Sequence, residues 1–226
     1  MAHALDNQGI KLLQVASLDL TEFLDVPKIA PVGKALTFQE MGKNHMKPFI
    51  TPKVTEAGKK LLQFQLEGGD LESISRVMRG HHITAYGMPD GHTFDAAWEF
   101  QLYFGDDNVF VEFSSACTQV VDWQEVGSLN IRVASCDEGS TTSVGPDLSK
   151  HAISPFFVER LEKLVYEDDD VISECGLVMY GVGGAEIIIA AGISPGSVSV
   201  AASFATEPFE PQFSLGTCRR EPCATF

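Results

Sequence analysis

Apolar and polar residues alternate with a period of two from Phe94 to Ala134. Phe100, Leu102 and Phe104 fall on one face, Gly105-Asp106-Asp107-Asn108 supplies turn chemistry, and Val109, Val111 and Phe113 resume the alternation, which predicts a hairpin. A third strand is expected over Ser128 to Val133, after the Trp123-to-Gly127 connection, giving an antiparallel meander. Gly176 to Tyr180, Ala185 to Ala191 and Val198 to Phe204 form a second strand-turn-strand set around Gly181-Val182-Gly183-Gly184.

Elsewhere the spacing is helical. Thr55 to Leu66 carries Leu61, Leu62 and Leu66 and runs into Gly68-Gly69, which predicts a helix with a glycine stop. Asp70 is placed to cap a second helix, Leu71 to Arg79, with Leu71, Ile74 and Met78 on one side. Ser154-Pro155 resembles a cap and first helical residue, and Phe157, Leu161, Leu164 and Val165 make an apolar stripe ending near Tyr166. Residues 1–54 hold mixed short elements, including an amphipathic stretch at Lys11–Leu24. The expected architecture is α+β, a few helices packed on antiparallel sheet. A helix pair and meander over 1–136 and a helix with strands over 151–226 flank a loop at 137–150; one domain over 1–226 is equally compatible.

Composition adds a polarity to this picture. The 226 residues carry a net charge of −15, with 12 Asp/Glu against 10 Lys/Arg in residues 1–100 and 19 against 6 in residues 101–226. Such a chain repels nucleic acid phosphates and anionic membranes and attracts basic proteins. At 44% apolar residues it has material for a full core. The five cysteines are odd in number and scattered, no secretory signal opens the sequence, and the most apolar window, Ile187 to Ile193, is too short for a membrane helix. A cytoplasmic protein without a cofactor is expected.

Candidate chemistry is sparse. Gly192-Ile193-Ser194-Pro195-Gly196 matches a nucleophile-elbow pattern, but Pro195 lacks the N–H an oxyanion hole needs and no histidine follows Ser194. Gly105-Asp106-Asp107 resembles the metal-holding turn of RNA-dependent polymerases, without a partner carboxylate motif or the charge to grip a template. His81, His82 and His92, with Asp90 and Asp95, are the densest ligand group, yet no spacing sets two imidazoles on one face, so no metal is expected. Cys223-Ala224-Thr225-Phe226 fits a lipidation pattern loosely, and Cys218 and Cys223 are a conceivable pair.

The acidic segments carry the leading expectation. Glu167-Asp168-Asp169-Asp170 should project into solvent beyond a helix, Asp106 and Asp107 occupy a hairpin tip, and Asp122 and Glu125 flank Trp123 as carboxylates flank an interface anchor. These residues suit a non-enzymatic inhibitor or immunity-type protein that covers the basic surface of a toxin, nuclease or similar partner. The alternative is a small metal-dependent or acid–base hydrolase at His81, His82 and His92.

Overall fold

The computed structural model describes residues 49–105, 109–121, 124–135 and 148–223. Its strands are β1 (Lys53–Val54), β2 (Lys60–Leu62), β3 (Gln65–Glu67), β4 (His82–Pro89), β5 (Phe100–Phe104), β6 (Val109–Gln119), β7 (Glu125–Ser135), β8 (Leu148–Glu167), β9 (Val171–Gly181), β10 (Glu186–Ala191), β11 (Val198–Ala201) and β12 (Cys218–Pro222). One α-helix is present among the described residues, α1 (Leu71–Gly80), capped as expected by Asp70, whose side chain accepts the Ser73 N–H. The fold is therefore mainly β, which corrects the expectation of several helices packed on a sheet. Nine strands run in the order β1-β2-β9-β8-β4-β5-β6-β7-β3 as a strongly curled half-barrel, with β10, β11 and β12 attached at its side. Among the described residues, β2 with β9 and β3 with β7 pair in parallel and the other strand pairs are antiparallel.

Curling brings two inner faces together. Phe100, Leu102 and Phe104 of β5, Val111 and Phe113 of β6 and Leu129 and Ile131 of β7 meet Leu161, Leu177, Met179, Ile187, Ile189 and Val200 of the facing strands. Ile74 and Met78 of α1 complete this core. Each such side chain stabilises the fold by about 1.5–3 kcal/mol through removal from water. The predicted β5–β6 hairpin and the third strand are present, with Gln101 opposite Glu112 and Glu112 opposite Arg132.

Two expected helices are strands. Thr55 to Leu66 breaks at Gly58, whose φ of 83° suits glycine, and the flanking residues become β1, β2 and β3. Leu62 is fully buried beside Val171 instead of lining a helix face. The stripe from Phe157 to Val165 belongs to β8, a 20-residue strand. A bulge between Val158 and Arg160 places Val158 and Leu161 on the same core face, a spacing of three that imitates a helix. Leu164 then joins a separate apolar cluster with Val178 and Ile188, covered by Phe209, Phe213 and Leu215. Sheet burial on both faces thus produced a helical pattern.

Strand β8 also joins the two sides of the half-barrel. Its first half pairs with β4, and its second half lies between β9 and β12. One sheet therefore contains strands from either side of the 137–150 segment.

Candidate functional site

The acidic run Glu167-Asp168-Asp169-Asp170 leads from β8 into β9, a strand-to-strand turn where a helix end was expected. Asp168 Oδ1 accepts the N–H groups of Asp170 (2.9 Å) and Val171 (2.8 Å) and so shapes the turn. Burial pushes the Asp168 carboxyl up, but these N–H groups and the Tyr166 hydroxyl outweigh it and hold it below the usual range. Glu167 pairs with Lys59 Nζ at 2.8 Å and with Arg219, and these bonds hold it low as well. Asp169 and Asp170 stay exposed.

The same end of the sheet collects the β6–β7 connection. Lys60 donates its backbone N–H to Asp170 O at 2.8 Å and its ammonium to Val120 O, and Leu62, Val120, Val126 and Val171 pack beneath. Exposed Glu125 opens β7 here. Asp122 and Trp123 lie outside the described residues, between Val121 and Gln124, whose carbonyl and N–H respectively share a 2.8 Å hydrogen bond. Asp106 and Asp107 also lie outside them. Gly105 and Val109, which bracket that pair, sit at the far end of β6, about 33 Å away for ten steps along a strand. The described residues that bracket these two acidic segments therefore fall at opposite ends of β6.

The histidines diverge. His81 follows α1 with Nδ1 3.2 Å from Val77 O, and the His82 ring lies 5.2 Å from that of Phe157. His92 comes after the other end of β4, about 23 Å along the strand from His82, where its Nδ1 faces the Trp98 N–H at 3.4 Å. Asp90 accepts from Ser149 Oγ, whereas buried Asp95 Oδ1 has no hydrogen-bond partner among the described residues. No group of three metal-ligating side chains converges among the described residues.

Gly192 to Gly196 is a turn between strands. Ser194 O accepts the Ser197 N–H at 2.9 Å and its hydroxyl at 2.7 Å, and β11 follows where an elbow requires a helix. A cleft of about 200 Å³ beside it is lined by Cys117, Glu125, Gly127 and Gln212. Burial and the neighbouring Glu125 charge push the Cys117 thiol up to about 11, so this thiol stays protonated at neutral pH.

A carboxylate pair that the sequence analysis missed lies on the outer face of β5, β6 and β7. Gln101 Nε2 bridges Glu99 Oε1 (2.8 Å) and Glu112 Oε2 (3.1 Å), while its Oε1 accepts the Tyr103 hydroxyl at 2.8 Å. Arg132 pairs with Glu112, and Lys150 Nζ sits 4.0 Å above the Tyr103 ring. Burial, and next the Glu112 charge, push the Glu99 carboxyl up to about 7. The pair thus holds a proton that ordinary glutamates release. The signal was present in the hairpin register, which sets Gln101, Glu112 and Arg132 in one cross-strand row.

The described cysteines, Cys117, Cys175, Cys218 and Cys223, are all free thiols. Cys218 packs with the cluster that holds Cys175, whereas Cys223, just beyond β12, packs against the main core. Cys218 Sγ lies 3.8 Å from Cys175 Sγ, whereas Cys223 is pushed up to about 12, chiefly by burial. Residues 224–226 of the lipidation pattern lie outside the described residues.

No family model, curated protein or solved structure matches this chain.

Proposed function

We propose that the chain is a non-enzymatic binding protein whose β6–β7 and β8–β9 end docks on a basic protein, in the manner of an inhibitor or immunity protein. The observation that carries this reading is a local imbalance of charge. Asp169, Asp170 and Glu125 face solvent there, while the nearby cations are already engaged, Lys59 by Glu167 and the Asp168 carbonyl and Lys60 by the Val120 carbonyl. A basic partner meets carboxylates whose neighbouring ammonium groups point elsewhere, which favours fast, salt-sensitive association. Such a partner uses the same Lys and Arg that grip phosphate, so occupation of this end blocks nucleic acid binding.

The test uses the full chain as bait in extract from its source, with D169K/D170K and D106K/D107K chains beside it. The expected result is a basic protein retained at low salt, released at high salt, lost with D169K/D170K and kept with D106K/D107K. That protein's nucleic acid binding should fall when the wild-type chain is added. Absence of a basic partner, or a partner indifferent to salt and to D169K/D170K, overturns the reading.

A further inference from the structure

Two thiols meet across β8 on the face opposite the main core. Cys175 occupies the extra position of a bulge in β9, between Glu174 opposite Val165 and Gly176 opposite Leu164. Cys218 opens β12 opposite Tyr166. Their sulfurs are 3.8 Å apart, and Cys175 is buried whereas Cys218 is half-exposed. The Cys175 S–H has two acceptors within reach, the Leu164 carbonyl at 3.4 Å and the Cys218 sulfur. Ionisation of Cys218 settles this competition, because a thiolate accepts a hydrogen bond more strongly than a neutral carbonyl.

We propose that Cys218 is a reactive thiolate, stabilised by the Cys175 S–H, and is the site at which this chain is modified by low-molecular-weight disulfides or electrophiles. The hydrogen bond from Cys175 is the largest influence drawing the Cys218 thiol down to about 7, and Cys175 is pushed up in turn. Thr217 adds a smaller contribution in the same direction. Of the neighbouring side chains, Tyr166 donates its hydroxyl to Asp168, and the Arg219 charge is paired with Glu167. In the exchange step, the Cys218 thiolate attacks one sulfur of the small disulfide. A new S–S bond forms, the original one breaks, and the departing thiolate takes a proton from water while Cys175 keeps its own.

The fold also determines how far the reaction proceeds. Strands β9 and β12 flank β8 on opposite edges, so two strand spacings, about 9.5 Å, separate their backbones. A disulfide needs Cα atoms within about 7 Å. Cys175 therefore does not displace the adduct, and the product is a stable mixed disulfide on Cys218.

Iodoacetamide trapping with peptide-level mass spectrometry tests the proposal on the full chain. Half-maximal Cys218 labelling is expected near pH 7, and C175A should slow labelling at that pH about five- to tenfold, after the lower intrinsic nucleophilicity of the more acidic thiol is included. C175S keeps a donor and should retain most of the rate, which separates the hydrogen bond from packing. Oxidised glutathione, the probe disulfide, should add one glutathione to the Cys218 peptide. A half-point near 9 in the wild-type chain, equal rates in the wild-type and C175A chains, or a Cys175–Cys218 disulfide as the product each overturns the proposal.

Discussion

Carboxylates crowd two regions of this molecule and are displaced in opposite directions. At the β8–β9 turn, Glu167 and Asp168 are held low by ammonium, guanidinium and backbone N–H groups that reach them through solvent-exposed structure. On the outer face of β5 and β6, Glu99 is held high because burial and the Glu112 charge outweigh help from Gln101 and Arg132. The difference lies in access to donors. A turn brings several N–H groups to one carboxylate, whereas a strand face offers each carboxylate only its row neighbours. The turn is a place where negative charge rests easily in the folded state. The strand face is a place where folding resists it.

Glu112 should produce the largest stability change. Glu112→Ala removes the partner of Arg132 and one acceptor of Gln101 in a row that is mostly sheltered. A loss of about 2–3 kcal/mol is expected by urea unfolding, less than for a fully buried pair because Arg132 is partly exposed. A loss below about 0.5 kcal/mol would show that the strand face resembles the turn after all.

Glu99 sharpens the comparison through pH. Its folded pKa is raised, so between the ordinary glutamate value near 4.5 and about 7 the folded state holds a proton that the unfolded state has released. The stability it contributes is complete below about 4.5 and is lost as pH rises through 7. Glu99→Gln removes this dependence. It should stabilise the chain by about 1–2 kcal/mol at pH 8, a figure reduced for the partial exposure of Glu99, and change little at pH 4. Equal gains at both pH values would rule out the shared proton.

Asp168 provides the opposite slope with a smaller amplitude. Asp168→Ala leaves the Asp170 and Val171 N–H groups without their acceptor, at a cost of about 1 kcal/mol at pH 7. Because the folded carboxyl is held low, the wild-type advantage is present above the ordinary Asp range and disappears as pH falls below it. Thermal melts of both chains at pH 7 and pH 3 measure the change, and a gap that widens on acidification would contradict the turn's role.

Legibility from sequence followed the range of the interactions. The β5–β6 hairpin and the Asp70 cap were readable because turn and cap chemistry act within a few residues. The β8 strand was not, since its bulge and its burial on opposite faces depend on β9, β10 and the segment around Phe213. Leu61, Leu62 and Leu66 likewise matched a helix until pairing with β9 and β7 drew them into separate strands. At the candidate site, the exposure of Asp169 and Asp170 could be anticipated from composition. The capture of Glu167 by Arg219 from 52 residues away could not. The meeting of Cys175 with Cys218 depended on a bulge in one strand and the placement of another.

The smallest stability effect bears most directly on the docking end. Asp169 and Asp170 face solvent without an ion-pair partner among the described residues, so D169A/D170A should change unfolding free energy by less than about 0.5 kcal/mol. Removing two like charges from a chain of net −15 relieves repulsion, which makes a slight gain at low salt the expected sign. Side chains retained for folding do not behave this way. A loss above 1 kcal/mol by urea unfolding would mean that these carboxylates serve the turn as Asp168 does, and a change in partner binding by the same variant would then report misfolding in place of lost contact.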